Sequence, residues 1–138
     1  MLAAMIVMPV VCFSQTPAVT ASAEVRSSPA YAEVLLRRTE LRADLEAVLA
    51  DYTEENPKVI DLRFELDNLE KALNRIAVVK PTETGKLTLA LGKMLVKKAG
   101  LETDLTRLMR TYNKEHPDVK RGAKRIEIFE SAIKEILN

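Results

Sequence analysis

Few residues in this chain are of a type that carries chemistry, and their spacing decides what each can do. His116 is the only histidine and Cys12 the only cysteine. A zinc site needs three or four converging nitrogen, sulfur or oxygen ligands. One His with no Cys near it does not supply them, so no metal is expected. Gly85-Lys86-Leu87-Thr88 has the glycine–lysine order of a phosphate loop. That loop requires a second glycine five residues earlier, after a strand, and Lys80 stands there instead. No nucleotide or other cofactor is expected. No nucleophile is paired in sequence with an acid or base, and the reading is of a protein that is not an enzyme.

Charge offers more. Lys120, Arg121, Lys124 and Arg125 form a basic run near the start of a helical segment, where cations oppose the helix dipole. They could contact an anionic partner; a solvated face, or pairing with the acidic first half, explains them as well. Nucleic acid is not expected, because no aromatics interleave the run. The net charge of +1 hides an asymmetry. Residues 24–80 hold 9 basic and 12 acidic side chains, and residues 81–138 hold 12 and 8. An acidic half and a basic half should attract, within one chain or head to tail between chains. The acidic face around Asp61, Glu65 and Asp67 is expected to lie toward the basic second half.

The halves are copies. Tyr52-Thr53-Glu54-Glu55-Asn56-Pro57-Lys58-Val59 returns 60 residues later as Tyr112-Asn113-Lys114-Glu115-His116-Pro117-Asp118-Val119. Leu41, Leu45, Glu70 and Ile76 recur as Leu101, Leu105, Glu130 and Ile136. A duplicated unit of this length is one supersecondary element used twice.

The unit reads as a helical hairpin. Seam positions step by three and four through Val34, Arg38, Leu41, Leu45, Val48 and Tyr52, then through Val59, Leu62, Leu66, Leu69, Leu73 and Ile76, all apolar but Arg38. That period marks helices meeting along a coiled-coil-like seam. Between the runs, Asn56 and His116 suit the N-cap, and Pro57 and Pro117 suit the first helical position. So short a connection makes the helices antiparallel, pairing Tyr52 with Val59, Val48 with Leu62, Leu45 with Leu66 and Leu41 with Leu69. The Tyr52 and Tyr112 rings are expected to pack over Val59 and Val119, unless they serve as contact residues at an exposed tip.

Arg38 and Lys98 interrupt the seam, with Glu70 and Glu130 as their expected partners. Helices are predicted over residues 29–54, 57–78, 88–114 and 117–137. Thr88 caps the third, and Lys80–Gly85 is the linker. Leu35, Leu49, Ile60, Phe64, Leu91, Leu95, Met109 and Ile128 are expected to join the hairpins. The fold class is all-α: two tandem antiparallel hairpins, residues 24–80 and 81–138, packed as an up-down-up-down four-helix bundle. A composition of 4% aromatic and 30% charged residues agrees.

Residues 1–23 read as a signal peptide. Met1 to Phe13 is apolar, and small-residue cleavage sites follow at Cys12-Phe13-Ser14 or Ala21-Ser22-Ala23. Export to the periplasm or beyond is therefore expected. A lipoprotein site at Cys12 fits poorly, because Pro9-Val10-Val11 lacks the small residues it needs. No stable membrane span is expected after signal removal.

The leucine heptad, Tyr, short polar stretch, (His/Asn)-Pro-x-Val and second heptad resemble the periplasmic coiled-coil region of the polysaccharide chain-length determinant and exopolysaccharide transport family, the bacterial polysaccharide co-polymerases. Tyr112 to Val119 carries that pattern in full, and Tyr52 to Val59 carries it with Asn56 for His. The resemblance covers about 40 residues per copy. The 138 residues depart from the family's pattern: neither a second transmembrane helix nor a kinase domain is expected among them. The resemblance implies a non-enzymatic scaffold or interaction module of the cell envelope, associated with polysaccharide assembly or export. Its partner would be an envelope protein or a second copy. The alternative is a periplasmic helical chaperone or adaptor for unfolded or anionic partners.

Overall fold

A computed structural model describes residues 20–138. The apolar segment through Phe13, Cys12 and the first cleavage site lie outside the described residues. Four helices of 21 residues dominate: α2 (Pro29–Leu49), α3 (Pro57–Ala77), α4 (Leu89–Met109) and α5 (Pro117–Leu137). Each is about 30 Å long. A one-turn helix α1 (Ala23–Arg26) precedes them, and a 3-10 segment, Pro81–Lys86, joins the hairpins.

Each long helix starts on a side-chain cap. Ser28 Oγ accepts from the Tyr31 amide and Thr88 Oγ1 from Leu91, both at 3.3 Å. A proline opens α2, α3 and α5, where its missing N–H has no intrahelical partner to lose.

The first and third long helices end five residues earlier than the sequence predicted. The amides of Asp51 and Tyr52 both turn back to the Val48 carbonyl, at 3.1 and 3.0 Å. Those of Thr111 and Tyr112 turn back to Leu108, at 3.1 and 2.9 Å. Proline alone bars only its neighbour from the helix. The reversal must also cross the 8–10 Å between packed helix axes, and that takes the extra residues.

The helices form an up-down-up-down four-helix bundle in which α4 lies against both α2 and α3, while α5 packs chiefly on α4. The main core runs from Val25, Ala30 and Val34 through Leu41, Leu69, Leu73 and Ile76 to Leu91, Leu95, Ala99 and Ile133. Leu45, Val48 and Val59 make a separate cluster within the first hairpin, with Leu62 and Leu66 against it, as the seam pairing predicted.

The hairpins meet most closely where α2 crosses α4. A Cβ on Gly92 would stand 2.8 Å from Glu33 Cβ and 2.9 Å from Ala30 Cα, so only glycine admits this approach. The Ala30 amide also donates to the Leu87 carbonyl at 3.1 Å, fastening the start of α2 to the chain entering α4. Of the apolar residues expected to join the hairpins, Leu91 and Leu95 are buried there. Ile60, Met109 and Ile128 are exposed instead, because the contact follows the narrow Ala30–Gly92 crossing and not a broad leucine stripe.

Ala21 and Val25 are buried, and Ser22 Oγ caps α1 through the Val25 amide at 3.3 Å. The second expected cleavage motif thus sits in a packed element. Cleavage after Ala23 would remove that cap.

Candidate functional site at the hairpin turns

The residues that the sequence singles out gather at two turns, residues 50–56 and 110–116, built alike. Asn56 is extended at φ −63°, ψ 131°, and its Oδ1 accepts from the Lys58 amide at 2.9 Å. His116 is extended at φ −60°, ψ 136°, and its Nδ1 accepts from the Asp118 amide at 3.2 Å. The amides of Asn56 and His116 reach back three residues, to Thr53 and Asn113, at 3.1 Å each. Pro57 and Pro117 begin α3 and α5, as expected.

Val59 and Val119 are buried directly beneath the turns. The tyrosines do not share that burial. Tyr52 is 53% exposed and Tyr112 41% exposed. Tyr112 stacks on the His116 ring, with centroids 4.0 Å apart and planes at 25°. The expectation of rings packed over valine is corrected: the helix stops before the tyrosine, so the ring leaves the seam. His116 Nδ1 is committed to the cap, which leaves Nε2 as its outward nitrogen.

Both turns lie at the same end of the bundle, and one carboxylate ties them. Asp61 in α3 accepts from Arg107 Nε at 3.0 Å and from Arg110 Nη2 at 2.6 Å, both at the end of α4. The Asp61 side chain is only 14% exposed. The hydrogen bond that Arg107 donates to Asp61 is the largest influence on its guanidinium and pushes its pKa up. This is the charge pairing between halves that the sequence predicted. Glu65 and Asp67 do not follow it. Glu65 takes Arg37 Nη2 at 3.0 Å within the first hairpin, and Asp67 takes Lys71 on its own helix. The seam cations behave differently from each other. Arg38 reaches Glu70 at 2.7 Å, as expected. Lys98 lies 3.6 Å from Glu130 but bonds Glu102, while Arg75 of the first hairpin donates to both Glu130 oxygens at 3.0 Å.

The basic run faces solvent. Lys120 meets Glu115 at 2.6 Å, Arg121 meets Asp118, and Lys124 meets Glu127 at 2.9 Å. All three partners are in the second copy. The run therefore does not pair with the acidic first half. Arg121 and Arg125 of the run edge the opening between α4 and α5, away from the first hairpin, whose groove α4 fills.

Sequence reading missed the Ala30–Gly92 crossing and the Arg107–Asp61–Arg110 clasp as a unit. The signal was the difference between copies. Gly92 corresponds to Ala32, Asp61 to Arg121, and Arg107 and Arg110 to Ala47 and Ala50. Among the described residues, no group of three or more His, Cys, Asp or Glu is placed to hold a metal ion, and no helix is long and apolar enough to cross a membrane.

What fold and turns define is a helical-repeat protein with paired capped turns at one end. No family model, curated protein or solved structure matches the chain.

Proposed function

We propose that this chain is a non-enzymatic scaffold or interaction module of the bacterial cell envelope, associated with polysaccharide assembly or export. The observation that carries the reading is the paired turn. Two capped turns stand at one end of the bundle, each offering a half-exposed tyrosine, and Asp61 ties them through Arg107 and Arg110. Exposed aromatic rings on a preorganised surface suit protein contact. The resemblance of both turns to the co-polymerase stalk, and the apolar start of the sequence, support the envelope location.

Photo-crosslinkers at Tyr52 and Tyr112 test this in the native cell. The reading expects recovery from the envelope fraction, with crosslinks to glycan assembly or export components that depend on those two positions. Recovery in the cytoplasm alone, or crosslinks unchanged when the probes are moved to the exposed face of α3, overturns it.

A further inference from the structure

The hairpins dock through a groove, and the duplication supplies that groove twice. The first lies between α2 and α3 and is filled by α4. Gly92 sits on Ala30, Leu95 and Ala99 line one opening with Asn68 and Ala72, and Arg107 and Arg110 close on Asp61. Moved along by the 60-residue repeat, the same face of the second hairpin runs between α4 and α5. Leu105, Leu108 and Gly122 line it around an open volume of about 370 Å³, with Arg121 and Arg125 at its edge. Ile128 stands where Asn68 stands in the first groove, and it is 57% exposed. Among the described residues, no helix covers that face.

The helix that fits is also in the chain. α2 corresponds to α4, so the α4 residues that enter the first groove have counterparts on α2. Those counterparts are Ala32, Leu36, Thr39, Ala43, Ala47 and Ala50, and all six are exposed. Leu36, at 57%, corresponds to Val96, which helps line the junction of α4 with Arg37 and Glu65.

Charge has switched on both sides together. The first groove offers Asp61 to Arg107 and Arg110; the second has Arg121, which meets Asp118, and Arg125 at its edge, with Asp104 on the α4 side. The α2 positions that would meet them hold Ala47 and Ala50, with the exposed carboxylates Asp44 and Asp51 one turn to either side of Ala47. Retained arginines would have set cation against cation.

We propose that a second copy of this chain lays its α2 into the α4–α5 groove, so that copies add head to tail by repeating the step that joins the hairpins within one chain. Such a contact uses two different surfaces and does not close on itself, so it builds rows. Ala32 carries the Cβ that Gly92 lacks, so the contact between copies is wider at that end than the contact within the chain. The proposal stands on helix packing and charge and does not depend on the envelope role.

Sedimentation velocity on the full chain, purified from its own cell, tests it with two double variants. L36K/A43R sets cations of the α2 face against Lys97, Arg121 and Arg125, and R121E/R125E spoils the groove; far-UV circular dichroism checks that both fold. Wild type should form species that grow with concentration beyond a dimer. Each variant alone should associate at least about tenfold more weakly, since like-charge contacts cost several kcal/mol and 1.4 kcal/mol is tenfold. Mixed together, the two variants should associate again, because a sound α2 face meets a sound groove and the introduced cations meet the introduced carboxylates. Should either double variant lose helix, A43Q and R125S carry the same comparison. A wild type that stays monomeric or stops at a dimer, or folded variants that fail to pair when mixed, overturns the proposal.

Discussion

The two hairpins share a pattern but not a degree of burial. α3 buries Val59, Leu69, Ala72, Leu73 and Ile76, whereas α5 buries only Val119 and Ile133. The residues at matching positions are equally apolar: Leu69 corresponds to Phe129, and Ile76 to Ile136. The difference lies in neighbours, since α3 has α2 on one side and α4 on the other, while α5 leans on α4. A heptad seam specifies one partner helix; the second partner must be supplied by something else.

The largest expected break in this comparison is in the core. Leu69→Ala should cost about 2–5 kcal/mol, the usual range for a fully buried leucine. Phe129→Ala, although it removes a bigger side chain, should cost less than Leu69→Ala in the same urea titration. Equal losses would mean that α5 is as well packed as α3.

Next come the glycines. Gly92→Ala pushes a Cβ against the backbone of Ala30 and should cost about 1–3 kcal/mol, as overpacking does. At Gly122 the same change meets only the end of the Leu105 side chain, at 3.2 Å. That side chain can move, and alanine gains up to about 1 kcal/mol of helix propensity over glycine. Gly122→Ala should therefore be near neutral or stabilising by thermal melting.

The turns should differ less. Asn56→Ala removes the α3 cap and should cost about 0.5–2 kcal/mol. His116→Asn keeps an acceptor at the matching site and should leave the melting temperature within a few degrees of wild type. A large loss there would show that the Tyr112 stack, and not the cap, holds the second turn.

The smallest effect is on acid stability. Burial pushes the Glu130 carboxyl up, but Arg75, Lys98 and Lys134 together outweigh it and leave its pKa below the ordinary value. A carboxyl held low in the folded state contributes stability above its unfolded pKa. That contribution fades as the pH falls through the lowered value. Glu130→Gln should shrink the loss on acidification from pH 5 downward relative to wild type. An unchanged acid limb would mean that Arg75 gains nothing by crossing between hairpins.

The fold was legible because its signals are local. Asn56-Pro57 and His116-Pro117 fix the helix starts within one residue, and the heptads pair the seams without a gap. The ends of α2 and α4 were less legible, since a reversal sets them by the distance it spans and not by any stop residue. How the hairpins join was hidden for a different reason. The repeat draws attention to what the copies share, while Gly92, Asp61, Arg107 and Arg110 are positions where they differ. The valines under the turns were legible; the outward tyrosines were not, because one residue of helix more or less swings a ring through about 100°.

The Asp61 clasp gives the bundle the mechanics of a pair of tweezers. At the linker end the hairpins are welded by apolar contact through Ala30, Leu91, Ile76 and Ile133. At the turn end the first hairpin keeps its own cluster of Leu45, Val48 and Val59, and the arms meet there through Asp61 with Arg107 and Arg110. The joint is permanent and the latch is ionic. Raising salt should therefore widen the gap between the two tyrosines while every helix stays folded, so that spacing at the working end becomes a quantity the surroundings can set.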